Sequence, residues 1–384
     1  MKLIVTGGGT GGHVFPGIAV ADAVRRSDPD ARILFVGTAA GMEARLVPEA
    51  GFDFRAVPAR SLLGRKLLQL PLALWTLGRG IASAMGIIRR FDPDVIFATG
   101  GYVSGPVAVA GRLLGKHIVL HEQNSIPGLA NRWLSRLADE VHLNDSAARP
   151  FFARKSHLRL SGNPIRKGVL EGDPARARRE HGLQEGRTTI LVVGGSQGAR
   201  SINRAAVAAI RRLAEKRNDL QFVVQTGRRD ARGAARRLAG LSLPVRVLPF
   251  ISRMGDLYRA ADLIVARAGA MTLAEIACCG RAAILVPYPH ATHNHQQKNA
   301  ESVAEAGAAV MILDAQLNGA RLAAEIAKLV DRPRKLREMS TNALRRARPD
   351  AAEKIAAALM RYAPVEAGTE GENGTIAVSK KDSR

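Results

Sequence analysis

The sequence has only two cysteines among its 384 residues, and these two, Cys278 and Cys279, are neighbours. Their side chains diverge in the helical pattern LAEIACCG, so no disulfide framework is available and a cytosolic compartment is favoured. No secretory signal is expected, because Met1 and Lys2 lead directly into an apolar run that ends in glycine. Aromatic residues make up 4% of the chain, but 46% of it is hydrophobic, which is enough for packed cores.

Acidic residues are also scarce, with 34 Asp and Glu against 57 Lys and Arg, giving a formal net charge of +23. Such an excess suits nucleic acid, an anionic membrane or a composition that simply prefers arginine. The arginines are scattered over nearly every predicted helix, without an aromatic-interleaved stripe or a nucleic-acid motif. Nucleic acid is therefore not expected as a partner, and attraction to anionic lipid is favoured.

No apolar run reaches the ~20 residues that span a bilayer. The longest candidate, 67–77, has eleven residues and is interrupted by Pro71. An apolar surface with a basic rim can lie in the membrane interface, whereas a core helix with solvated ends explains the same pattern, and both readings stay open. The residues predicted to contact the membrane are Leu67, Leu68, Trp75, Arg65, Lys66 and Arg79.

The chain alternates between short apolar runs and helical patterns, which is typical of an α/β protein with doubly wound parallel sheets. Its length suggests two domains, with three as the alternative. A boundary is expected near 160–169, where glycine, asparagine and proline follow a short extended stretch. The predicted strands are 2–6, 32–36, 94–98, 117–120, 140–143, 189–193, 221–225, 244–248, 262–265 and 283–286.

Two segments share one design, LIVTGGGTGGH at 3–13 and ILVVGGSQGAR at 190–200. In each, a buried-type strand ends in a glycine turn that opens a helix, which makes a site for phosphate or another anion. Two such units, nearly half the chain apart, predict two α/β domains that face each other across a cleft. This arrangement suits an enzyme that binds a nucleotide with one domain and a second substrate with the other.

The first turn also matches the dinucleotide fingerprint, with Gly7, Gly9 and Gly12 in G-x-G-x-x-G spacing. That fingerprint needs an acidic residue at the end of the second strand, but nothing acidic occurs there before Glu43. A nicotinamide-dependent oxidoreductase is therefore disfavoured. His13 leaves the turn at the mouth of the expected cleft, where an imidazole suits general-base work, although a structural histidine is the alternative.

The most polar stretch is 266–300, where a helix is predicted to open after Gly269. Its free N–H groups and the Thr272 hydroxyl suit a pyrophosphate, and Glu275 suits sugar or ribose hydroxyls. The triplet His290, His293 and His295 resembles a metal cluster but lacks an acidic or cysteine partner.

Two Asp-Pro-Asp segments, 28–30 and 92–94, match the D-x-D spelling that binds a metal in some sugar transferases. Both precede their strands, whereas ligands in open α/β sheets gather at the carboxyl ends. They are predicted to be turns, and neither a metal nor a cofactor is expected.

Six motifs in order and spacing resemble one family over about residues 1–363. These are GGGTGGHVFPG (7–17), GGYVSGP (100–106), HEQNSIPGLANRWL (121–134), GNPIR (162–166), GGSQGARSIN (194–203) and GAMTLAEI (269–276) with HNHQQKNA (293–300). The chain is similar to the MurG family, bacterial transferases that add N-acetylglucosamine to undecaprenyl-pyrophosphoryl-MurNAc-pentapeptide. The tail and the composition of the 290–295 loop depart from the family pattern.

This resemblance implies a GT-B fold, with two doubly wound Rossmann-like domains across a cleft. Residues 1–163 would face the lipid acceptor and the membrane, and 164–345 would bind UDP-GlcNAc. Residues 346–363 would form a helix that packs back on the first domain. The tail, 364–384, is polar and unpatterned, so disorder is expected there.

The family also implies a metal-independent, inverting transferase in which His13 is the candidate base. The donor-binding residues carried over from its motifs are Thr10, Gly11, Gly12, Asn124, Arg166, Ser196, Ile251, Ala270, Met271, Thr272, Leu273, Ala274, Glu275 and Gln296.

The expected reaction converts lipid I to lipid II in peptidoglycan synthesis, at the cytoplasmic face of the plasma membrane. UDP-GlcNAc, lipid I and anionic lipids are the expected partners, with cell-wall and division proteins as further candidates. A UDP-GlcNAc 2-epimerase and a diacylglycerol glycosyltransferase are the rival interpretations. The apolar run at 67–77 disfavours the first, and the HEQN and GGYVSGP segments disfavour the second by resemblance.

Overall fold

Runs of aliphatic and β-branched residues build the two sheets of the protein, because such residues suit strands that are buried on both faces. In the computed structural model, residues 1–60, 70–195, 198–291 and 294–364 are described. All strand pairs among them are parallel. The ten predicted strands are present, each within two residues of its expected ends.

The N-terminal sheet has seven strands in the order β3-β2-β1-β4-β5-β6-β7, the order of a doubly wound sheet. Its strands are β1 Lys2–Gly7, β2 Arg32–Gly37, β3 Asp53–Ala56, β4 Val95–Gly100, β5 His117–Glu122, β6 Glu140–Leu143 and β7 Leu158–Leu160. Its helices are α1 Gly11–Ser27, α2 Glu43–Glu49, α3 Leu70–Phe91, α4 Ser104–Leu113 and α5 Leu129–Leu134.

The C-terminal sheet repeats this winding with six strands in the order β10-β9-β8-β11-β12-β13. Its strands are β8 Thr188–Val193, β9 Leu220–Gln225, β10 Val245–Leu248, β11 Leu263–Ala266, β12 Ala282–Leu285 and β13 Ala309–Met311. The helices after β7 are α6 Lys167–Leu170, α7 Pro174–His181, α8 Arg200–Ala214, α9 Ala231–Leu238, α10 Met254–Ala260, α11 Ala270–Cys278, α12 His295–Glu305, α13 Gly319–Val330, α14 Pro333–Arg346 and α15 Ala351–Met360.

The last helix, α15, returns to the N-terminal half of the molecule. Ile355 and Leu359 are fully buried in the same apolar cluster as the residues of α1. Arg361, just beyond the helix, lies 2.7 Å from Glu140 of β6, and Arg26 of α1 lies 2.8 Å from Glu353. The chain therefore crosses between the two halves twice, after β7 and after α14.

The apolar segment 67–77 is only partly described, since Leu67, Leu68, Arg65 and Lys66 lie outside the described residues. Helix α3 begins at Leu70, and Pro71 occupies its first turn, where proline is tolerated. Leu72, Leu74 and Trp75 are 51%, 53% and 59% exposed, so these three side chains are not part of the core. No helix within the described ranges is long and apolar enough to cross a membrane.

Candidate active site

The first glycine turn lies at the carboxyl edge of the N-terminal sheet and is held by a buried acid. The Glu43 carboxylate accepts hydrogen bonds from the Gly9 N–H at 3.1 Å, the Thr38 N–H at 3.0 Å and the Thr38 hydroxyl at 2.7 Å. Burial by itself raises the pKa of Glu43, but the Thr38 and Gly9 hydrogen bonds outweigh it and lower the pKa. Glu43 therefore fixes the loop backbone, a role that the sequence analysis missed.

The GGYVSGP segment packs directly against this turn. Gly101 has a φ of 83°, and a Cβ there would lie 2.5 Å from the Gly8 carbonyl oxygen. Only glycine permits that approach. Thr10, Gly11 and Gly12 open α1 beside it, where Thr10 is exposed and the two glycines are half-buried. The N–H groups at the start of α1 that have no intrahelical partner therefore lie beside this glycine turn.

His13 follows in the first turn of α1, and its Nδ1 lies 2.9 Å from the Thr99 carbonyl oxygen of β4. Since a carbonyl oxygen only accepts, Nδ1 carries the proton of the neutral ring and the lone pair lies on Nε2. Burial lowers the pKa of His13, and hydrogen bonds with Thr99 and Gln123 partly offset that fall. The ring is therefore neutral near pH 7 and able to accept a proton.

The HEQN segment lies behind His13 at the end of β5. Glu122 is buried, and its carboxylate accepts from the Asn124 N–H at 2.9 Å and from Asn131 Nδ2 at 2.8 Å. Asn124 reaches the other half of the molecule, where its Oδ1 accepts from Asn299 Nδ2 of α12 at 3.3 Å. Asn299 Oδ1 in turn accepts from the Ser125 N–H at 3.1 Å. Asn299 is thus a cross-domain contact that the sequence analysis did not single out.

Glu275 lies on α11, deep in the C-terminal half. Its Oε2 accepts from the Tyr258 hydroxyl at 3.3 Å, and its Oε1 lies 3.8 Å from Arg166. Burial raises the pKa of Glu275, and the Arg166 charge opposes that rise. Arg166 also lies over the ring of Phe15, 4.2 Å from its centroid, so it joins Glu275 to α1.

A cavity of about 510 Å³ lies between the second glycine turn, the start of α11 and the loop after β12. Thr272, Gln296 and His290 line it, and Gln296 Oε1 accepts from the Tyr288 N–H at 3.0 Å. Ser196, a predicted donor contact in the second turn, lies outside the described residues.

Arg267 organises one wall of this cavity. Its guanidinium donates to Asp314 Oδ1 at 2.6 Å and to the Ser201 hydroxyl at 2.8 Å, and it lies 5.5 Å from the Tyr288 ring centroid. None of these residues was predicted from the sequence. Part of the signal was available in the sequence, because Arg267 lies two residues before the motif that opens α11.

The predicted contacts around α11 do not all face this cavity. Thr272 does, but Met271 is buried, and Ala270, Leu273 and Ala274 line a separate crevice on the other side of the helix. Side chains of those four therefore do not lie along the cavity wall, although backbone N–H groups of the first turn are free to serve it. Ile251 is buried at the start of the connection to α10.

The histidine triplet is not described in full, since His293 lies outside the described residues. Among the residues that the structure describes, no group of three or more His, Cys, Asp or Glu side chains is placed to hold a metal ion. The Asp-Pro-Asp segments precede β2 and β4, at the edge opposite the cleft. Asp28 there accepts from the N-terminal ammonium group at 2.6 Å, and Asp94 accepts from the Lys2 N–H at 2.7 Å.

Comparison with known proteins assigns the family. Residues 3–143 match the glycosyltransferase family 28 N-terminal domain, and residues 189–355 match the family 28 C-terminal domain. The chain belongs to glycosyltransferase family 28. As a family 28 protein it is a glycosyltransferase, which confirms the predicted enzyme class.

Two curated family 28 relatives carry the same name, UDP-N-acetylglucosamine--N-acetylmuramyl-(pentapeptide) pyrophosphoryl-undecaprenol N-acetylglucosamine transferase. The protein from Thermodesulfovibrio yellowstonii is 40% identical over 355 residues, which cover 92% of this chain and 97% of the relative. The protein from Moorella thermoacetica is 40% identical over 374 residues, which cover 96% of this chain and 100% of the relative.

Solved structures confirm the predicted GT-B architecture. MurG from Acinetobacter baumannii has a TM-score of 0.75 and 30% identity, covering 94% of this chain and 99% of that chain. A putative UDP-N-acetylglucosamine 2-epimerase from Listeria monocytogenes has a TM-score of 0.66 with 14% identity, covering 94% of this chain and 96% of that chain. At that identity the second likeness shows the fold alone.

Proposed function

We propose that this family 28 enzyme transfers N-acetylglucosamine from UDP-GlcNAc, with inversion, to the C4 hydroxyl of MurNAc in undecaprenyl-linked lipid I, giving lipid II. One observation carries the proposal most directly. Arg166 contacts both Phe15, two residues after His13, and Glu275 in the wall of the C-terminal half. These two contacts support a single cleft shared by the candidate base and the candidate donor residues.

The donor would lie mainly in the C-terminal cavity. Free N–H groups at the start of α11 and the Arg166 guanidinium suit the diphosphate, since both stabilise negative charge. Glu275, buried on α11 beside Arg166, suits the ribose hydroxyls, and Gln296, which lines the cavity, suits the sugar. The further donor contacts proposed by resemblance are Thr10, Gly11, Gly12, Asn124, Ser196, Ile251, Ala270, Met271, Thr272, Leu273 and Ala274.

The reaction would be a direct displacement. The C4 oxygen of MurNAc attacks the anomeric carbon of the donor while the bond from that carbon to the diphosphate oxygen breaks. The hydroxyl proton passes to Nε2 of His13, whose lone pair is left available by the Nδ1 bond to Thr99. UDP leaves as an anion that the α11 N-terminus and Arg166 stabilise, without a divalent cation.

This placement assigns a different substrate to each domain. Residues 1–163 would bind the lipid acceptor, and residues 164–345 would bind the donor. Residues 346–363 would pack back on the first domain. The exposed apolar side chains at the start of α3, with Arg79 beside Trp75 at 4.7 Å, suit an anionic membrane surface. We place the enzyme peripherally at the cytoplasmic face of the plasma membrane, with anionic lipids and cell-wall or division proteins as further partners.

The test is incubation of the full chain with radiolabelled UDP-GlcNAc and a short-chain lipid I analogue. Label should enter the lipid, and equal activity in excess EDTA is expected. Formation of UDP-ManNAc without acceptor labelling would instead support a 2-epimerase, and label in diacylglycerol supplied in a parallel incubation would support the other rival. Strict dependence on added Mg²⁺ or Mn²⁺ would contradict the metal-free displacement.

A further inference from the structure

We propose that Gln123 is a positioning residue for the transfer reaction, which fixes the ring orientation and tautomer of His13. This inference rests on the proposed function, because it assigns Gln123 a role only through the base. Gln123 belongs to the HEQN segment, from which the sequence analysis assigned a role to Asn124 alone. Its side chain is 2% exposed, so its hydrogen bonds are not shared with bulk water.

The Thr99 carbonyl oxygen is the meeting point of the two side chains. It accepts from His13 Nδ1 at 2.9 Å and from Gln123 Nε2 at 2.6 Å, which occupies both of its lone pairs. The Thr99 hydroxyl donates to the His13 carbonyl oxygen at 2.7 Å. Thr99 is therefore tied to the backbone and the ring of His13, and Gln123 completes that arrangement from β5.

The orientation of the Gln123 amide is itself determined by a neighbour. His121 is fully buried, and its Nε2 donates to the Gly162 carbonyl oxygen at 3.1 Å, so its Nδ1 must accept. Gln123 Nε2 lies 3.1 Å from that Nδ1 and donates to it. A flipped amide would place its oxygen against two acceptors, the Thr99 oxygen and His121 Nδ1, which is unfavourable.

The chain of hydrogen bonds thus runs from Gly162, in the connection between the two sheets, through His121, Gln123 and Thr99 to His13. At its end, the only lone pair on the ring lies on Nε2, as a general base requires. Loss of the Gln123 amide would leave His121 Nδ1 without its side-chain donor and would leave the Thr99 carbonyl oxygen with the His13 ring as its one remaining side-chain donor. The buried arrangement that holds the His13 ring would then lose one of its supports.

Charged and titratable groups that face His13 come from three elements. They are Glu43 of α2, His121 of β5 and His295 of α12. The Gln123 side chain raises the pKa of His13, and burial lowers that pKa by more. Removal of the Gln123 amide should therefore lower the pKa further, whereas a carboxylate in its place should raise it.

The experiment compares Gln123→Met, Gln123→Glu and the control Gln221→Met in the full chain. Gln221 is equally buried, but it bonds Gln184 and Thr189 in the other domain. For Gln123→Met we expect kcat to fall about tenfold or more, part of the 10²–10⁴ that a general base contributes, at unchanged donor KM. The acid limb of kcat/KM should move down in pH for Gln123→Met and up for Gln123→Glu, and stay fixed for Gln221→Met.

A loss of thermal stability with a stationary acid limb would overturn the proposal, since it would make Gln123 merely structural. If neither Gln123 variant folds, nitrogen NMR of the histidine-labelled wild type decides. A His13 ring protonated on Nδ1 supports the proposal, and one protonated on Nε2 overturns it. Absence of transfer by the wild type would contradict the proposed function instead, and the NMR measurement would still test the tautomer.

Discussion

The Arg166 guanidinium lies over the Phe15 ring, 4.2 Å from its centroid, and so connects the first residues of the C-terminal half to α1. The same guanidinium lies 3.8 Å from the Glu275 carboxylate. Cation–π contacts of this kind contribute about 0.5–2 kcal/mol. Arg166 is therefore held in the cleft before any donor arrives, which reduces the entropy that donor binding would have to offset.

The first prediction concerns this contact. Phe15→Leu should raise the KM for UDP-GlcNAc about twofold to tenfold, because Arg166 loses its support. In an Arg166→Gln background the same change should have no further effect, giving a coupling energy of about 0.5–1.5 kcal/mol in a double-mutant cycle. Phe15→Tyr keeps the ring and serves as the control. Strictly additive effects of the two changes would contradict the coupling.

The second prediction concerns Glu275. Glu275→Ala should weaken UDP-GlcNAc binding by roughly 1.5–3 kcal/mol, the range for hydrogen bonds to charged groups. Calorimetry with UDP-GlcNAc measures the loss directly. Glu325→Ala is the matched control, since Glu325 is a buried glutamate of α13 in the same half whose charged partner is Lys328 and not Arg166. Equal donor affinity in the Glu275 variant would exclude the ribose role.

The third prediction concerns His13. His13→Ala should lower kcat by about 10²–10⁴ while donor affinity is kept, because the ring accepts the acceptor's proton. The exposed His117→Ala should leave kcat unchanged. Loss of donor affinity with unaltered chemistry would make His13 a positioning residue, and near-normal turnover would remove it from the mechanism.

The sheets were predictable because their central strands are continuous aliphatic runs, as at 190–193 and 263–266. The strands that the sequence analysis did not predict are short and lie at or next to sheet edges. β3, Asp53–Ala56, is mostly exposed, and β13, Ala309–Met311, has three residues, so neither shows a distinct apolar run. β7, Leu158–Leu160, coincides with the short extended stretch noted before the boundary.

The site was predictable where function depends on a local motif and not where it depends on distant contacts. The two glycine turns and the α11 start could be read from the strand-glycine-helix pattern. Glu43, however, is 34 residues from the loop that it supports, and Asn299 is 174 residues from Ser125. Such pairings are set by sheet order and domain approach, which local patterns do not encode.

The fourth prediction concerns acid stability. Burial lowers the pKa of His121 to about 4, although the hydrogen bond to Gly162 acts in the opposite direction. In the unfolded chain a histidine has a pKa of about 6.5. Between these values the unfolded chain binds a proton that the native state does not, so stability is complete above that range and falls as pH drops through it.

Because of His121, the free energy of unfolding should be lower at pH 4 than at pH 7 by an amount on the order of 3 kcal/mol. Urea unfolding across that range measures it. His121→Asn should be less stable at pH 7 but show a flatter dependence of stability on pH. An unchanged slope in His121→Asn would contradict the assignment.

The last prediction concerns the exposed end of α3. A polyprenyl acceptor cannot leave the bilayer cheaply, at ~0.8 kcal/mol per buried CH₂, so the enzyme must bring its cleft to the headgroup plane. Leu72, Leu74 and Trp75 are each more than half exposed and Arg79 lies against Trp75, so this surface offers apolar area beside a cation. Binding to anionic vesicles should be salt-sensitive, because basic residues beside the apolar side chains, such as Arg79, contribute about 1 kcal/mol each near an anionic surface.

The triple variant Leu72→Gln, Leu74→Gln and Trp75→Gln should keep its fold, since exposed substitutions typically change stability by about 0.5 kcal/mol or less. Its affinity for anionic vesicles should fall about tenfold or more, given the ~1.5–3 kcal/mol that burial of each large apolar side chain contributes. Turnover of a full-length lipid should fall much more than turnover of a short-chain soluble acceptor. Leu344→Gln, an exposed leucine of α14, is the control for general loss of apolar surface. A folded triple variant that binds vesicles like the wild type would move the membrane face elsewhere on the molecule.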